Sequence, residues 1–212
     1  MEDKEILPDL MIFAEKYIVL ILACLVSYVF GALPVAYRLS RRKGVDIFTS
    51  GTGLAGASNV MKSVGRTSGL LVLVFDMAKG VLAIIIVKIM GIEGLIILIP
   101  GLVAVFGHWN SIFTRFRGGD GMAIGAGITI AVIGPTGLIA FLATAVVIML
   151  AQKLHFSSLF GVVVGYPVLL LLNLNNYEQV QLVFGLAGIA VLILVHALRG
   201  HRRRNRGGVG IS

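Results

Sequence analysis

Two polar stretches in an otherwise apolar chain carry residue types that could bind an anion. The first is SGTGLAGASNV, residues 50–60. Gly51, Gly53 and Gly56 allow backbone conformations closed to other residues and let N–H groups approach a ligand closely. Thr52, Ser58 and Asn59 add hydroxyl and amide donors. Together they have the make-up of an anion nest, and a short helix after it would add the positive end of its dipole. No Gly-Lys-Ser/Thr closes the stretch, so it is not a nucleotide-binding P-loop. A bare glycine- and serine-rich loop also serves as a plain connector.

The second stretch is GHWNSIFTRFRGGDGM, residues 107–122. Arg115 and Arg117 carry guanidinium forks suited to phosphate, beside Gly118, Gly119 and Gly121. Either arginine alone is explained as an anchor reaching for lipid headgroups. Their coincidence with one glycine turn, and with a second glycine loop, is what points to a ligand. His108 heads the stretch, either as a general base or as a hydrogen-bonded structural residue. Asp120 sets one acid among these basic groups.

Two further polar residues lie inside an apolar run. Asp76 and Lys79 are three residues apart, which puts them on one helix face. Ionisable groups within a membrane are costly and are usually functional or paired, so a mutual ion pair that orients the helix is expected. Cys24, the single cysteine, can form neither an intrachain disulfide nor a zinc cluster and reads as a small hydrophobe.

The elements that must position these groups follow from composition. Apolar residues make up 58% of the 212, charged residues only 13%, and the mean hydropathy is +0.98. Soluble domains are about half apolar and a quarter charged. The apolar residues fall in long blocks with short polar joints, the pattern of spanning helices rather than of alternating barrel strands. An all-α integral membrane protein is expected, one domain over residues 1–212, with a short outer tail at 1–13 and a basic tail at 199–212. About seven helices are expected, near 14–38, 68–90, 94–109, 121–134, 136–152, 158–173 and 181–198. Several are short or hold Gly or Pro, as spans bordering a cavity often are.

The net charge of +8 follows topology and does not suggest nucleic acid. Fourteen of the eighteen Lys and Arg residues fall on one set of joints, from Arg38 to the tail. Acidic residues such as Glu2, Asp3, Glu93 and Glu178 gather on the other. The positive-inside rule then puts the N-terminus outside and the C-terminus in the cytoplasm, as an odd number of spans requires. The first apolar run follows an acidic leader, the reverse of a cleavable signal peptide, so it is retained as a span. Both glycine loops then share the cytoplasmic face, where loops on a rigid scaffold carry function.

Taken in order and spacing, these stretches resemble the bacterial membrane glycerol-3-phosphate acyltransferases that use acyl phosphate as donor. GTGLAGASN at 51–59 resembles that family's GSGNxGATN, and GHWNSIFTRFRGGDGMAI at 107–124 resembles its GHxFxxFxxFKGGKGVAT. FDMAKG at 75–80, GALPVAY at 31–37 and SSLFG at 157–161 are similar to three other family stretches. The resemblance implies attack of the sn-1 hydroxyl of glycerol 3-phosphate on an acyl phosphate. The products are 1-acylglycerol 3-phosphate (lysophosphatidic acid) and phosphate, in phospholipid synthesis. Such a donor carries its own leaving group, so no protein nucleophile, metal or other cofactor is implied. Catalysis then comes from positioning and charge stabilisation.

The resemblance also implies site roles. His108, Ser58 and Asn59 stand at catalytic positions. Gly51, Thr52, Gly53, Arg115, Arg117, Gly118, Gly119 and Gly121 stand at substrate-binding ones. The implied partners are the two substrates, membrane lipid and an acyl-phosphate-forming enzyme, at the cell membrane. The chain departs from the family pattern at Asp120 (for a lysine), Leu54 (for an asparagine) and Ala32 (for a serine). One charge about 4 Å from a phosphate is worth about 4 kcal/mol before screening at an effective dielectric of about 20. Asp120 therefore implies compensation by Arg115, Arg117 or the tail, a re-tuned acceptor site, or a paralogue that binds lipid or a partner without turnover. A small transporter is the remaining alternative. It would place polar groups through the membrane midplane, whereas here they collect on one face.

Overall fold

A computed structural model describes residues 3–150 and 157–207. Among the described residues nine α-helices run in the order α1 (Asp3–Ala32), α2 (Val35–Arg42), α3 (Ala57–Ser63), α4 (Arg66–Ile89), α5 (Leu98–Trp109), α6 (Met122–Ile133), α7 (Pro135–Leu150), α8 (Ser157–Asn173) and α9 (Tyr177–Gly207). Short 3₁₀ turns precede and follow α5. Among the described residues four segments are long and apolar enough to cross a membrane: Phe13–Arg42, Arg66–Ile89, Gly94–Thr114 and Tyr177–Leu198. Three shorter apolar helices accompany them.

The expected first helix, 14–38, is two helices. Pro34 has no N–H to donate and its ring crowds the preceding turn, so α1 stops at Ala32 and α2 restarts at Val35. The carbonyls this break exposes are taken from elsewhere in the chain. Ser111 Oγ donates to Ala32 O at 2.5 Å, and Lys79 Nζ donates to Leu33 O at 3.0 Å. The helix also begins earlier than expected, because Asp3 to Phe13 is already helical. At the other end α9 runs to Gly207, through the first part of the expected tail. Residues 151–156, 208–212 and the tail's side chains lie outside the described residues.

Small residues let the helices close on one another. A Cβ on Gly31 would sit 1.9 Å from Ala104 O, which brings α1 against α5. One on Gly80 would sit 2.5 Å from Ile124 O, and one on Gly127 2.1 Å from Met77 O, so α4 and α6 touch backbone to backbone. Close approach of this kind is what drives helix association where lipid is as apolar as leucine. Ile84, Ile124, Ile128, Leu169 and Leu186 fill the core between helices. Large side chains such as Ile21, Leu25, Val74, Phe75 and Leu142 face outward. Between α6 and α7 the chain turns through Gly134 at φ +82°, and Pro135 opens α7 where its missing N–H costs nothing.

Candidate active site

The break between α1 and α2 borders a narrow cleft with about 20 Å³ of free space. Residues 33–37 form one wall. Asp76 and Lys79 reach it from α4, His108 from the end of α5, and Arg117, Gly118 and Gly119 from the second glycine stretch. From the first stretch only Ala55 lines it.

The two stretches are joined to each other. Ala55 N donates to Gly118 O at 3.0 Å, and Gly119 N donates to His108 O at 3.2 Å. His108 is 5% exposed, and its Nε2 would be 2.3 Å from a Cβ on Gly119. Only a residue without a side chain lets the imidazole lie against the turn. Thr114 Oγ1 donates to Arg117 O and to Ser111 O. Arg115 and Phe116 both adopt left-handed backbone, at φ 55° and 59°. Non-glycine residues held there cost of order 1–3 kcal/mol each, and the strain turns Arg117 back toward the first stretch. Its guanidinium lies 4.2 Å from the Phe48 ring centroid and donates to Phe48 O at 3.3 Å.

Asn59 is 3% exposed and is spent on its own loop. Its Nδ2 donates to the carbonyls of Ile47, Ser50 and Leu54, and its Oδ1 accepts from Thr52 N and Ser63 Oγ. Gly51, at φ +52°, passes so close that a Cβ would sit 2.2 Å from that Oδ1. Gly53 N donates to Ser50 O. The expected anion nest is therefore turned inward here: the N–H groups of Thr52 and Gly53 hold the loop's shape.

Asp120 Oδ1 accepts from Met122 N at 3.0 Å, in the first turn of α6, where the helix dipole favours an anion. Its Oδ2 faces Gly56. The indole of Trp109 donates to Asp120 O at 2.9 Å and stacks on His196 of α9. The pairing expected of Asp76 and Lys79 is present, Oδ1 to Nζ at 2.9 Å with both side chains buried.

The structure thus brings His108, Arg117, Gly118 and Gly119 to one cleft. Gly51, Thr52, Gly53 and Asn59 shape the neighbouring loop, Gly121 packs on Trp109, and Ser58 and Arg115 are exposed away from the cleft. Ser111, Thr114, Trp109 and His196 were not singled out by the sequence. The first two are ordinary hydroxyls within the second stretch, and His196 is remote in the chain. Among the described residues no three His, Cys, Asp or Glu side chains gather as a metal ion would need.

Residues 21–206 match the glycerol-3-phosphate acyltransferase family. The chain belongs to that family. Glycerol-3-phosphate acyltransferase 1 of Deinococcus radiodurans is 36% identical over 165 residues, which cover 77% of this chain and 83% of that one. The glycerol-3-phosphate acyltransferase of Geotalea daltonii is 32% identical over 182 residues, 86% of this chain and 91% of that one. The crystal structure of PlsY, an integral membrane glycerol 3-phosphate acyltransferase, in its glycerol 3-phosphate form superposes with a TM-score of 0.71. It shares 27% identity, and the match covers 89% of this chain and 92% of that one. The lysophosphatidic acid form gives a TM-score of 0.69 at the same identity. Within this family frame, Asp120 caps α6 at the glycine turn while Lys79 and Arg117 bring positive charge to the cleft.

Proposed function

We propose that this membrane protein transfers a fatty acyl group from acyl phosphate to the sn-1 hydroxyl of glycerol 3-phosphate, giving lysophosphatidic acid and phosphate for phospholipid synthesis. The observation that carries this reading is the joining of the two glycine stretches at one cleft that holds His108, Lys79 and Arg117. The acceptor oxygen bonds to the acyl carbon, the acyl C–O bond to phosphate breaks, and the phosphate leaves with the electron pair. The hydroxyl proton passes to His108 or to a substrate phosphate. Ser111 and Thr114 spend their hydroxyls on backbone carbonyls, so they position the loop and do not attack.

Arg117, Gly118 and Gly119 hold phosphate, with Arg115 and Gly121 supporting the turn and Asn59, Gly51, Thr52 and Gly53 keeping the facing loop in shape. Ser58, at the start of α3, stands ready to donate to a substrate entering from that side. The acyl tail has a place to lie. An apolar cavity of about 170 Å³ begins at Met122, two residues past Asp120, and runs along α6 past Ala126 and Thr129 to Ala140 and Tyr166. The cleft itself holds little more than a water, so substrate entry moves exposed Arg117 outward.

The four long segments and three shorter apolar helices together form seven spans, N-terminus outside and C-terminus in the cytoplasm, with the cleft on the cytoplasmic face. The polar cleft and the apolar cavity match the two chemical halves of the donor, anionic and apolar.

The test is release of phosphate from a long-chain acyl phosphate in the presence of glycerol 3-phosphate, with purified protein in lipid. Wild type should release phosphate and form the monoacyl product, and Asn59→Ala should not. A wild type inactive with every acyl-chain length would refute the reading.

A further inference from the structure

Lys79 is buried at 4% exposure in the wall of the cleft, in α4 and outside both glycine stretches. Its ammonium has three N–H donors. One meets Asp76 Oδ1 at 2.9 Å and one meets Leu33 O at 3.0 Å. Among the described residues no protein acceptor takes the third. Leu33 itself lines the cleft, so the ammonium that binds its carbonyl stands at the cleft's edge.

Stability does not explain such a pair. A buried ion pair can often be replaced by apolar side chains with no loss, so its place beside a polar cleft calls for another account. The packing around it is also fixed. Gly80, the next residue, lies against the backbone of α6 one turn beyond Asp120. That contact fixes the α4 backbone beside Lys79 against α6. Asp120 Oδ1 meanwhile accepts from Met122 N.

We infer that Lys79 is a phosphate-binding residue of the acyl-transfer site, its third N–H donating to a phosphate oxygen of one substrate while Asp76 and Leu33 hold the ammonium in place. The inference rests on the acyl-transfer reading and assigns part of its charge to α4. Acyl phosphate and glycerol 3-phosphate present the same chemistry, and the test separates them.

KM for each substrate is measured with full-length protein in lipid for wild type, Lys79→Arg and the double variant Asp76→Asn/Lys79→Met, which leaves no unpaired charge buried. The double variant should raise KM at least tenfold for one substrate, with partial recovery in Lys79→Arg. The KM that moves names the phosphate held. Wild-type values of both KM in the double variant would overturn the inference, since Lys79 would then serve Asp76 alone. A second measurement does not need turnover. Recoupling between ¹⁵N of labelled lysine and ³¹P of bound glycerol 3-phosphate, or of a long-chain acyl phosphonate, should give a contact that Lys79→Arg abolishes. No lysine contact with either ligand overturns the inference even in a silent enzyme. A contact without turnover supports it and refutes the acyl-transfer reading instead.

Discussion

The imidazole of His196 lies flat on the indole of Trp109, with ring centroids 4.3 Å apart and 11° between their planes. The same indole donates to the Asp120 carbonyl. The last helix is thereby fastened to the glycine turn through one aromatic ring. Stacked aromatic pairs are worth about 0.5–1.5 kcal/mol beyond their burial. His196→Ala should lower the unfolding temperature and reduce kcat, while His196→Phe, which keeps the stack, should retain most of both. Thermal unfolding and acyl transfer measured on the same preparations check this.

Asn59 is predicted to matter through the loop it holds. Asn59→Ala strips acceptors or donors from the three carbonyls, Thr52 N and Ser63 Oγ. Each buried polar group left unmatched costs about 1–3 kcal/mol. Asn59→Asp should fail nearly as badly, because it keeps the acceptor and loses every donor. Limited proteolysis should then cut within residues 47–54, where the wild type resists.

Gly119 leaves no room for a side chain. Gly119→Ala drives a methyl into His108 Nε2 and the Ala55 carbonyl, 2.6 Å away, and should reduce kcat by about a hundredfold or more, on the scale of misplaced catalytic geometry. Gly188→Ala is the matched control. Nothing lies within 4 Å of its added Cβ, so activity and stability should both stay at wild-type values.

Arg117 combines a ring contact with a backbone hydrogen bond, and a lysine cannot reproduce both. Arg117→Lys should raise KM for phosphate-bearing substrates with a smaller effect on kcat. Because the side chain is exposed, the wild-type KM should rise with added salt, and the variant's should respond less. A salt series on both enzymes decides it.

Asp120→Asn keeps the side-chain oxygen that accepts from Met122 N and removes the charge. KM for glycerol 3-phosphate should fall. Asp120→Lys removes the acceptor too. It should cost about 1 kcal/mol, the usual value of a lost helix cap. Thermal unfolding and KM measured on both variants check this.

The chemistry was most legible where it was local. His108, Arg117, Gly118 and Gly119 lie within a dozen residues, so a single loop brings them together and their types alone suggest an anion. Asn59 was legible as important but not in its role. A side-chain amide beside glycines reads as a ligand donor until the carbonyls of residues 47, 50 and 54 are seen around it. His196 was hidden because its meeting with Trp109 depends on how the last helix packs. The split of α1 from α2 was written in Pro34, yet the unbroken hydropathy of 14–38 outweighed it. At Pro34 the missing N–H breaks the ladder despite the hydrophobicity around it, whereas Pro167 is carried inside α8.

The grip on the broken end of α1 also has a mechanical side. Ala32 O is held by Ser111, beyond the end of α5, and Leu33 O by Lys79 of α4, while Tyr28 Oη donates to Asn110 O one turn earlier. The first apolar rod is thus tied by three short links to the residues around the cleft. A bilayer too thick or too thin for that rod tilts it, and the tilt pulls on the carbonyls that Lys79 and Ser111 hold. The thickness of the surrounding membrane, which is set by the acyl chains of its lipids, would in this way bear on the geometry of the site.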